Sequence, residues 1–281
     1  MSEILVVIPT IFKNSFKDNL LDQLCGDSLI KQVVVVDNGN CFEVPAEKQQ
    51  AWAKVQRVQA GCNLNWLASC NLGAAIAIAQ QIPYVCFLND DVQLSNLFFK
   101  EMLKTFVNCK DAAVVVPRYT GYCDTAREFL DKIDWKPEEK EQAVNHVDGT
   151  CMLISLQTLQ TVGLLDPVFN PPGWGADQDY SYRVRCQGKS LYVSYRAMLW
   201  HGEDIEQNAS NVYGGTSATI VYGGKAHWQY AGCRQIRRDM ANKYGRDWRK
   251  VEPRNSRIVL IGRDLKREGY EKLFKQCLIK I

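Results

Sequence analysis

Hydrophobic residues in the first 117 positions fall into short runs, separated by stretches in which apolar residues recur at helical spacing. Runs rich in Val and Ile without polar alternation are typical of strands covered on both faces. They predict strands over Glu3–Ile8, Lys31–Asp37, Val55–Ala60, Tyr84–Asn89 and Ala112–Pro117. The intervening pattern predicts helices over Asn14–Leu24, Leu67–Gln80 and Ser95–Asn108. Because strands alternate with helices, we expect an α/β domain with a mostly parallel central sheet flanked by helices.

The pattern becomes less regular in the second half of the chain. The charged stretch from Arg118 to Gln142 predicts a mobile loop. An apolar run, Cys151–Ile154, precedes a short helix that we expect to end at Gly163. The turn-rich segment Asn170–Gly175 then predicts the start of another helix near residue 177.

The net charge of +3 is unevenly distributed along the chain. Residues 1–203 contain 18 Lys/Arg and 23 Asp/Glu, whereas residues 204–281 contain 16 and 8. We therefore predict one domain over residues 1–203 and a basic, helical C-terminal extension over residues 204–281 that packs on it. Such an excess of basic residues usually forms a solvated helical face. The alternative is that these residues contact an anionic membrane surface or an acidic acceptor. We expect no nucleic-acid partner.

Three features predict a cytoplasmic location, with peripheral membrane contact through the basic extension as the alternative. No apolar run approaches the ~20 residues that span a bilayer, and the chain lacks the basic start of a signal peptide. The eleven cysteines include no Cys-x-x-Cys pair, which is typical of reduced thiols.

Two adjacent carboxylates, Asp90 and Asp91, directly follow an apolar strand and Asn89. Burying carboxylates at a strand end without a partner is costly, and a divalent cation supplies that partner. Hard oxygen ligands suit Mg²⁺ or Mn²⁺, which can neutralise a bound diphosphate. The alternative is that the two acids cap the helix that follows.

Several further segments accompany this pair in a fixed order. They are Pro9-Thr10, Asp37-Asn38-Gly39, Asn63 to Gly73, Val147 to Ile154, Val162 to Phe169, Gly175 to Arg183 and Trp200-His201-Gly202. Their order and spacing resemble the family-2 glycosyltransferases of the GT-A fold over about residues 3–203. The resemblance implies a nucleotide-diphosphate sugar as donor, and it adds a small antiparallel element around Cys151–Ile154.

The resemblance also implies roles on the donor side. Asp37 would read the nucleotide base, and Asp91 is the surer metal ligand, with Asp90 nearer the ribose or the water shell of the metal. Which acid does which stays open. The other residues expected to bind substrate are Pro9, Thr10, Asn38, Asn65, Asn71, Asn89 and Gly149. Asn65 stands where the family usually has Gly, which would reshape the turn beside the nucleotide.

On the acceptor side, the resemblance makes Asp177 the general base. An alcohol is a poor nucleophile until a positioned carboxylate takes its proton. Ala176 stands where the family usually has an acid, which leaves Asp179 as a second candidate for the base. His201 would be a further metal ligand, or else structural. Trp174 would stack on a sugar face, or else anchor its loop.

Together these residues predict an inverting, metal-dependent glycosyltransferase. It would use Mn²⁺ or Mg²⁺ and act on a hydroxyl of a saccharide or lipid-linked saccharide. A nucleotidyltransferase is one alternative, but it should have a Gly-rich basic loop after the first strand, and Pro9 to Asn14 is not one. An inactive sugar- or nucleotide-binding module is the other, with Ala176 as the only hint.

Overall fold

The computed structural model describes residues 3–11, 20–40, 42–120, 137–170, 173, 175–201 and 238–244. All of them belong to a compact unit, Met1–Val251, and the second unit, Glu252–Ile281, lies outside the described residues. The strands are β1 (Ile4–Thr10), β2 (Ile30–Asp37), β3 (Val55–Gln59), β4 (Tyr84–Leu88), β5 (Val92–Leu94), β6 (Ala112–Thr120), β7 (Glu141–Val144), β8 (Cys151–Ser155) and β9 (Ser190–His201). The helices are α1 (Leu20–Gly26), α2 (Asn65–Ala79), α3 (Phe98–Asn108), α4 (Leu156–Val162) and α5 (Ala176–Cys186). Residues 238–244 are also helical.

The strands form one sheet in the order β3-β2-β1-β4-β8-β6-β9-β5, with β7 also paired to β9. The β3-β2-β1-β4 part is parallel, and so is the β6–β9 pair. Strand β8 runs antiparallel to both of its neighbours, β4 and β6. The predicted α/β fold with helices flanking a central sheet is therefore confirmed, together with the antiparallel element around Cys151–Ile154.

Both faces of the sheet are buried, which explains the continuous hydrophobic runs. Successive residues of a strand point to opposite faces, so Leu5 and Val7 of β1 lie in one apolar cluster and Val6 lies in the other. Helix α2 packs very closely on β1, because a Cβ atom added at Gly73 would lie 2.2 Å from a methyl carbon of Val7. These buried contacts fix the strand ends from which the candidate site is built.

One edge of the sheet gathers the polar strand ends. Strands β2, β1, β4, β6 and β9 all end at this edge, and the antiparallel β8 begins there. We call it the C-terminal edge. Ligands of open α/β sheets bind beyond such an edge, since the loops there are free to carry functional side chains.

Some predicted boundaries were wrong. The predicted loop from Arg118 to Gln142 begins as a continuation of β6 to Thr120 and ends in β7, and residues 121–136 lie outside the described part. Helix α3 begins at Phe98, not Ser95, because Leu97 has a left-handed backbone with φ of 56°. The start of the predicted Asn14–Leu24 helix falls in residues 12–19, outside the described residues. No helix in the described part of the chain is long and apolar enough to cross a membrane.

Candidate active site

The end of β2 is held by an ion pair between a buried carboxylate and a partly exposed arginine. Asp37 is fully buried, and its Oδ2 accepts hydrogen bonds from Arg57 on β3, at 3.0 Å from Nε and 2.7 Å from Nη2. The backbone N–H of Phe42 donates to the same oxygen at 3.0 Å. Asp37 thus fixes β2 to β3 and to the loop that follows, and its reading of the nucleotide base stays a prediction.

Asn38 joins the end of β2 to the start of α2. Its Oδ1 accepts the backbone N–H of Leu64 at 2.9 Å, and its Nδ2 donates to Ser69 Oγ at 3.0 Å. Asn65 begins α2 with φ of 62°, a left-handed backbone that glycine adopts freely and Asn tolerates better than most residues. The backbone at Asn65 is therefore one that glycine would also adopt.

Asn71 lies on α2 and pairs with the backbone of a distant loop. Its Nδ2 donates to the carbonyl of Leu165 at 2.8 Å, and its Oδ1 accepts the N–H of Leu165 at 2.9 Å. This reciprocal pair of hydrogen bonds holds α2 against that loop. A role for Asn71 in donor binding stays a prediction.

At the end of β1, Pro9 is half-buried and pairs with Val36, and Thr10 is buried. The Thr10 carbonyl accepts the N–H of Asn38 at 2.8 Å, which places both strand ends together at the C-terminal edge. Trp174 lies outside the described residues.

The predicted metal ligands lie on neighbouring backbones. Asn89 and the two acids follow β4, and the Asn89 N–H donates to the Thr150 carbonyl at 2.9 Å. Asp91 directly precedes β5, whose Val92 pairs with His201 at the end of β9. The antiparallel register therefore places His201 opposite Val92, one residue along the chain from Asp91.

This donor set fits Mn²⁺ or Mg²⁺, since Asp90 and Asp91 offer hard oxygen ligands and an imidazole can complete a Mn²⁺ shell. The side chain of His201 is outside the described part of the chain. Among described residues, no cluster of three His, Cys, Asp or Glu side chains suited to a metal ion is found. The metal ligation by Asp91 and His201 stays a prediction.

Asp177 lies in the first turn of α5 and points to the start of β8. Its Oδ2 accepts the Gly149 N–H at 3.2 Å, and its Oδ1 accepts the Gln178 N–H at 2.8 Å. Burial of the carboxyl group, and then the negative charge of Asp148, raise the pKa of Asp177 to about 7. A carboxyl group with this pKa can accept a proton near neutral pH.

Asp179, the second candidate for the base, has a different environment. It is fully buried, and its Oδ2 accepts Arg183 Nε at 2.8 Å. Its Oδ1 accepts Lys243 Nζ at 2.6 Å and the hydroxyl of Tyr244. Two cationic side chains and a hydroxyl thus engage Asp179, whereas backbone N–H groups engage Asp177. The choice of Asp177 as the base stays a prediction.

Sequence reasoning missed an aromatic residue beside the candidate base. A Cβ atom added at Gly149 would lie 3.0 Å from the Trp66 indole, and one at Gly173 would lie 3.3 Å from Cβ of Leu67. Trp66 also contacts Phe87 edge to face, with ring centroids 6.2 Å apart. The position of Trp66 directly after Asn65, at the start of α2, is the sequence signal that could have marked it as a site residue.

Three charged or polar residues around the site were also missed. Arg57 holds Asp37, Asp148 raises the pKa of Asp177, and Ser181 Oγ accepts the Val147 N–H at 3.2 Å. The four-residue spacing from Asp177 to Ser181 could have signalled a shared helix face. Nothing local in the sequence marks Arg57, because its partner is on another strand.

Comparisons with known proteins match the chain to two family models and to relatives of similar sequence. The model of "Glycosyl transferase family 2" matches residues 6–158, and that of "Cobalamin synthesis protein cobW C-terminal domain" matches residues 224–278. "Uncharacterized protein Rv1525" of Mycobacterium tuberculosis and "Uncharacterized protein Mb1552" of Mycobacterium bovis are each 28% identical over 200 residues, which is 69% of this chain and 76% of the relative.

Two solved structures resemble the chain at low identity. S. aureus TarS matches with a TM-score of 0.52 and 15% identity, over 85% of this chain and 40% of TarS. GalNAc-T7, solved with UDP, GalNAc and Mn²⁺, matches with a TM-score of 0.45 and 12% identity, over 70% of this chain and 43% of that one. The match thus spans less than half of either solved chain, and the likeness to TarS concerns the fold alone.

Proposed function

Since the chain belongs to the glycosyl transferase family 2, we propose that it transfers a sugar from a nucleoside-diphosphate sugar to a hydroxyl group of a saccharide or lipid-linked saccharide. One observation carries this proposal. Asp177, with its pKa raised to about 7, contacts the start of β8 at the same sheet edge where β2 ends in Asp37 and β4 is followed by Asp91. A base and two donor-side acids therefore share one edge.

The proposed reaction is a single displacement at the anomeric carbon. The acceptor hydroxyl oxygen forms a bond to that carbon while the bond from the carbon to the diphosphate oxygen breaks. The hydroxyl proton passes to Asp177, and the nucleoside diphosphate leaves with the bonding electron pair. Attack from the face opposite the leaving group inverts the anomeric configuration.

On the donor side, we assign the nucleotide base to Asp37 and the ribose to Asp90, with Pro9, Thr10, Asn38 and Asn89 around them. Asp91 and His201 would hold Mn²⁺ or Mg²⁺. When bound, the cation supplies positive charge opposite the diphosphate as it departs. The pairing of His201 with Val92, the residue after Asp91, supports this assignment.

On the acceptor side, the Gly149 N–H orients the carboxylate of Asp177. The Trp66 ring lies against Gly149, the residue whose N–H binds Asp177, so we place this ring next to the acceptor. An aromatic ring in this place suits the apolar face of a sugar. Trp174 is assigned to the same sugar face from the sequence alone.

The test is a donor panel. Purified protein is incubated with UDP-, GDP- and dTDP-sugars, with Mn²⁺, Mg²⁺ or a chelator, and release of nucleoside diphosphate is measured. We expect release that needs the cation and that Asp177→Asn lowers by about 10²–10⁴-fold. Glu3→Gln is the control, because Glu3 lies at the start of β1, opposite the C-terminal edge.

Three outcomes would count against the proposal. Binding without any turnover would favour an inactive sugar- or nucleotide-binding module. Transfer of the nucleotidyl group instead of the sugar would favour a nucleotidyltransferase. A product with retained anomeric configuration, seen by proton NMR, would exclude the single displacement.

We also propose a cytoplasmic location with peripheral membrane contact through the basic residues 204–281, since they include 16 Lys/Arg and 8 Asp/Glu. Residues 202–237 and 245–281 lie outside the described part. Basic surfaces bind anionic lipid with a strength that falls as salt rises. Sedimentation with anionic and neutral liposomes at low salt tests the contact, and equal sedimentation with both would exclude it.

A further inference from the structure

We propose that residues 238–244, from the basic C-terminal region, act as a brace that sets the position of Asp177 by holding the opposite face of α5. The inference rests on the proposed function in taking Asp177 as the base. It makes Lys243 and Tyr244 positioning residues, since the structure places their contacts on Asp179 and not on Asp177.

Helix α5 is held on two sides by different residues. On one side, the Gly149 N–H donates to Asp177, and the Val147 N–H donates to Ser181. Ser181 Oγ in turn donates to the Asp177 carbonyl at 2.7 Å. This face of α5 is therefore fixed to the segment that leads into β8.

The other side is fixed through Asp179 and Arg183, which lie one turn apart. Arg183 donates to Asp179 and also to the carbonyls of Val162 and Leu164, each at 2.9 Å. A buried carboxylate needs such partners, because an unpaired buried charge is costly. Within the described residues, the other side chains that bind Asp179 are Lys243 and Tyr244 of the 238–244 helix.

Lys243 connects α5 to the loop after α4. Its Nζ lies 2.6 Å from Asp179 Oδ1 and 2.6 Å from Asp166 Oδ2, and it lies 5.5 Å from the ring centroid of Phe169. Tyr244 packs on Tyr182 of α5, with ring centroids 4.5 Å apart. Polar and aromatic contacts thus hold the brace on the same helix.

The brace is seated in the apolar core and not only on the surface. Met240 is fully buried and belongs to the same apolar cluster as Tyr180 and Val184 of α5. Contacts of this kind hold a helix in one place, because a packed interface does not slide continuously. Loss of the brace would remove the Lys243 and Tyr244 contacts and leave Arg183 in place, so this side of α5 would move more than the side held by Gly149, and Asp177 would lose its fixed geometry.

The first test compares Lys243→Met with Lys243→Arg, which keeps the charge, and with Lys100→Met as the matched control. Lys100 is exposed on α3, away from α5. We expect Lys243→Met to lower kcat for donor turnover by about 10- to 100-fold, as small displacements of catalytic groups do, with nucleoside-diphosphate affinity within about twofold. Lys243→Arg should recover most of kcat, and Lys100→Met should match the unaltered protein.

The second test needs no turnover. Hydrogen exchange of the peptide over residues 176–186 should be faster in Lys243→Met and in Tyr244→Phe than in Lys100→Met, because the brace no longer protects α5. Equal exchange in all three variants would overturn the brace. Equal losses of kcat and of nucleotide affinity would also overturn it, since they indicate general destabilisation. Absence of turnover in the unaltered protein would count against the proposed function alone.

Discussion

The raised pKa of Asp177 makes a direct prediction about the pH dependence of catalysis. A general base acts only when it is deprotonated, so kcat/KM should fall as the pH drops through about 7. An unperturbed aspartate, with a pKa of 3.8, would stay ionised throughout the neutral range. The position of the acidic limb therefore tests both the identity of the base and its environment.

The expected size of this effect follows from the pKa. With a pKa of about 7, Asp177 is about nine-tenths ionised at about pH 8 and about one-tenth ionised at about pH 6. We thus expect kcat/KM to fall by about tenfold between these two pH values. An aspartate with its ordinary pKa would lose less than about 1% of its ionised form over the same range.

Asp148→Asn is the informative perturbation, because Asp148 is exposed and contributes the second cause of the raised pKa. Asp148 Oδ1 accepts the Thr150 N–H at 2.8 Å, and the Asn oxygen can still do so. The acidic limb should move to lower pH but stay above the ordinary aspartate range, because burial is the larger cause and is unchanged.

The assay is kcat/KM for a slowly turned-over donor between about pH 5 and about pH 9, with the cation saturating at every pH. Glu3→Gln removes one negative charge at the opposite end of the sheet and should leave the limb in place. A flat profile between about pH 6 and about pH 8, or a limb that survives Asp177→Asn, would refute the assignment.

Three further predictions concern stability and metal binding. The folded-state pKa of Asp177 is above its ordinary value, so its contribution to stability is lost as the pH rises from about 4 through about 7. In urea unfolding, Asp177→Asn should therefore stabilise the ligand-free protein by roughly 1–2 kcal/mol at about pH 8 and should not stabilise it at about pH 4. Arg57→Met should destabilise the fold by about 2 kcal/mol, because it removes the Arg57 guanidinium from the buried Asp37 carboxylate. Adding Asp37→Asn should recover part of this loss, and additive losses in the double variant would contradict the coupling. Asp91→Ala should abolish the effect of Mn²⁺ on nucleoside-diphosphate affinity in calorimetry, and an unchanged effect would show that the metal lies elsewhere.

The sequence by itself predicted the elements whose signals are local. Buried strands of a two-faced sheet need apolar residues at nearly every position, so β1, β2, β4 and β6 were visible as runs. The expectation of a buried strand at β3 was wrong, because Val55–Gln59 is partly exposed and has Gln and Arg between its valines. The turn before α5 and the polar residues after β2 and β4 were visible because a strand or helix must change composition where it ends. Family resemblance then assigned chemistry to Asp37, Asp91 and Asp177.

Short edge elements were not visible. Strand β5, Val92–Leu94, is too short to show a period, and it forms because β9 offers a partner. Strand β7, Glu141–Val144, is half polar, and it too depends on pairing with β9. The local composition of either segment does not indicate that it pairs with a distant strand.

The different environments of the two acids of α5 are set only by the tertiary structure. Asp177 and Asp179 are two positions apart in one helix, and the sequence left both as candidates for the base. The fold turns Asp177 toward Gly149 and buries Asp179 against Lys243 and Tyr244, more than 60 residues later in the chain. The pKa of a carboxyl group depends on burial and on the charges around it, and long-range packing sets both.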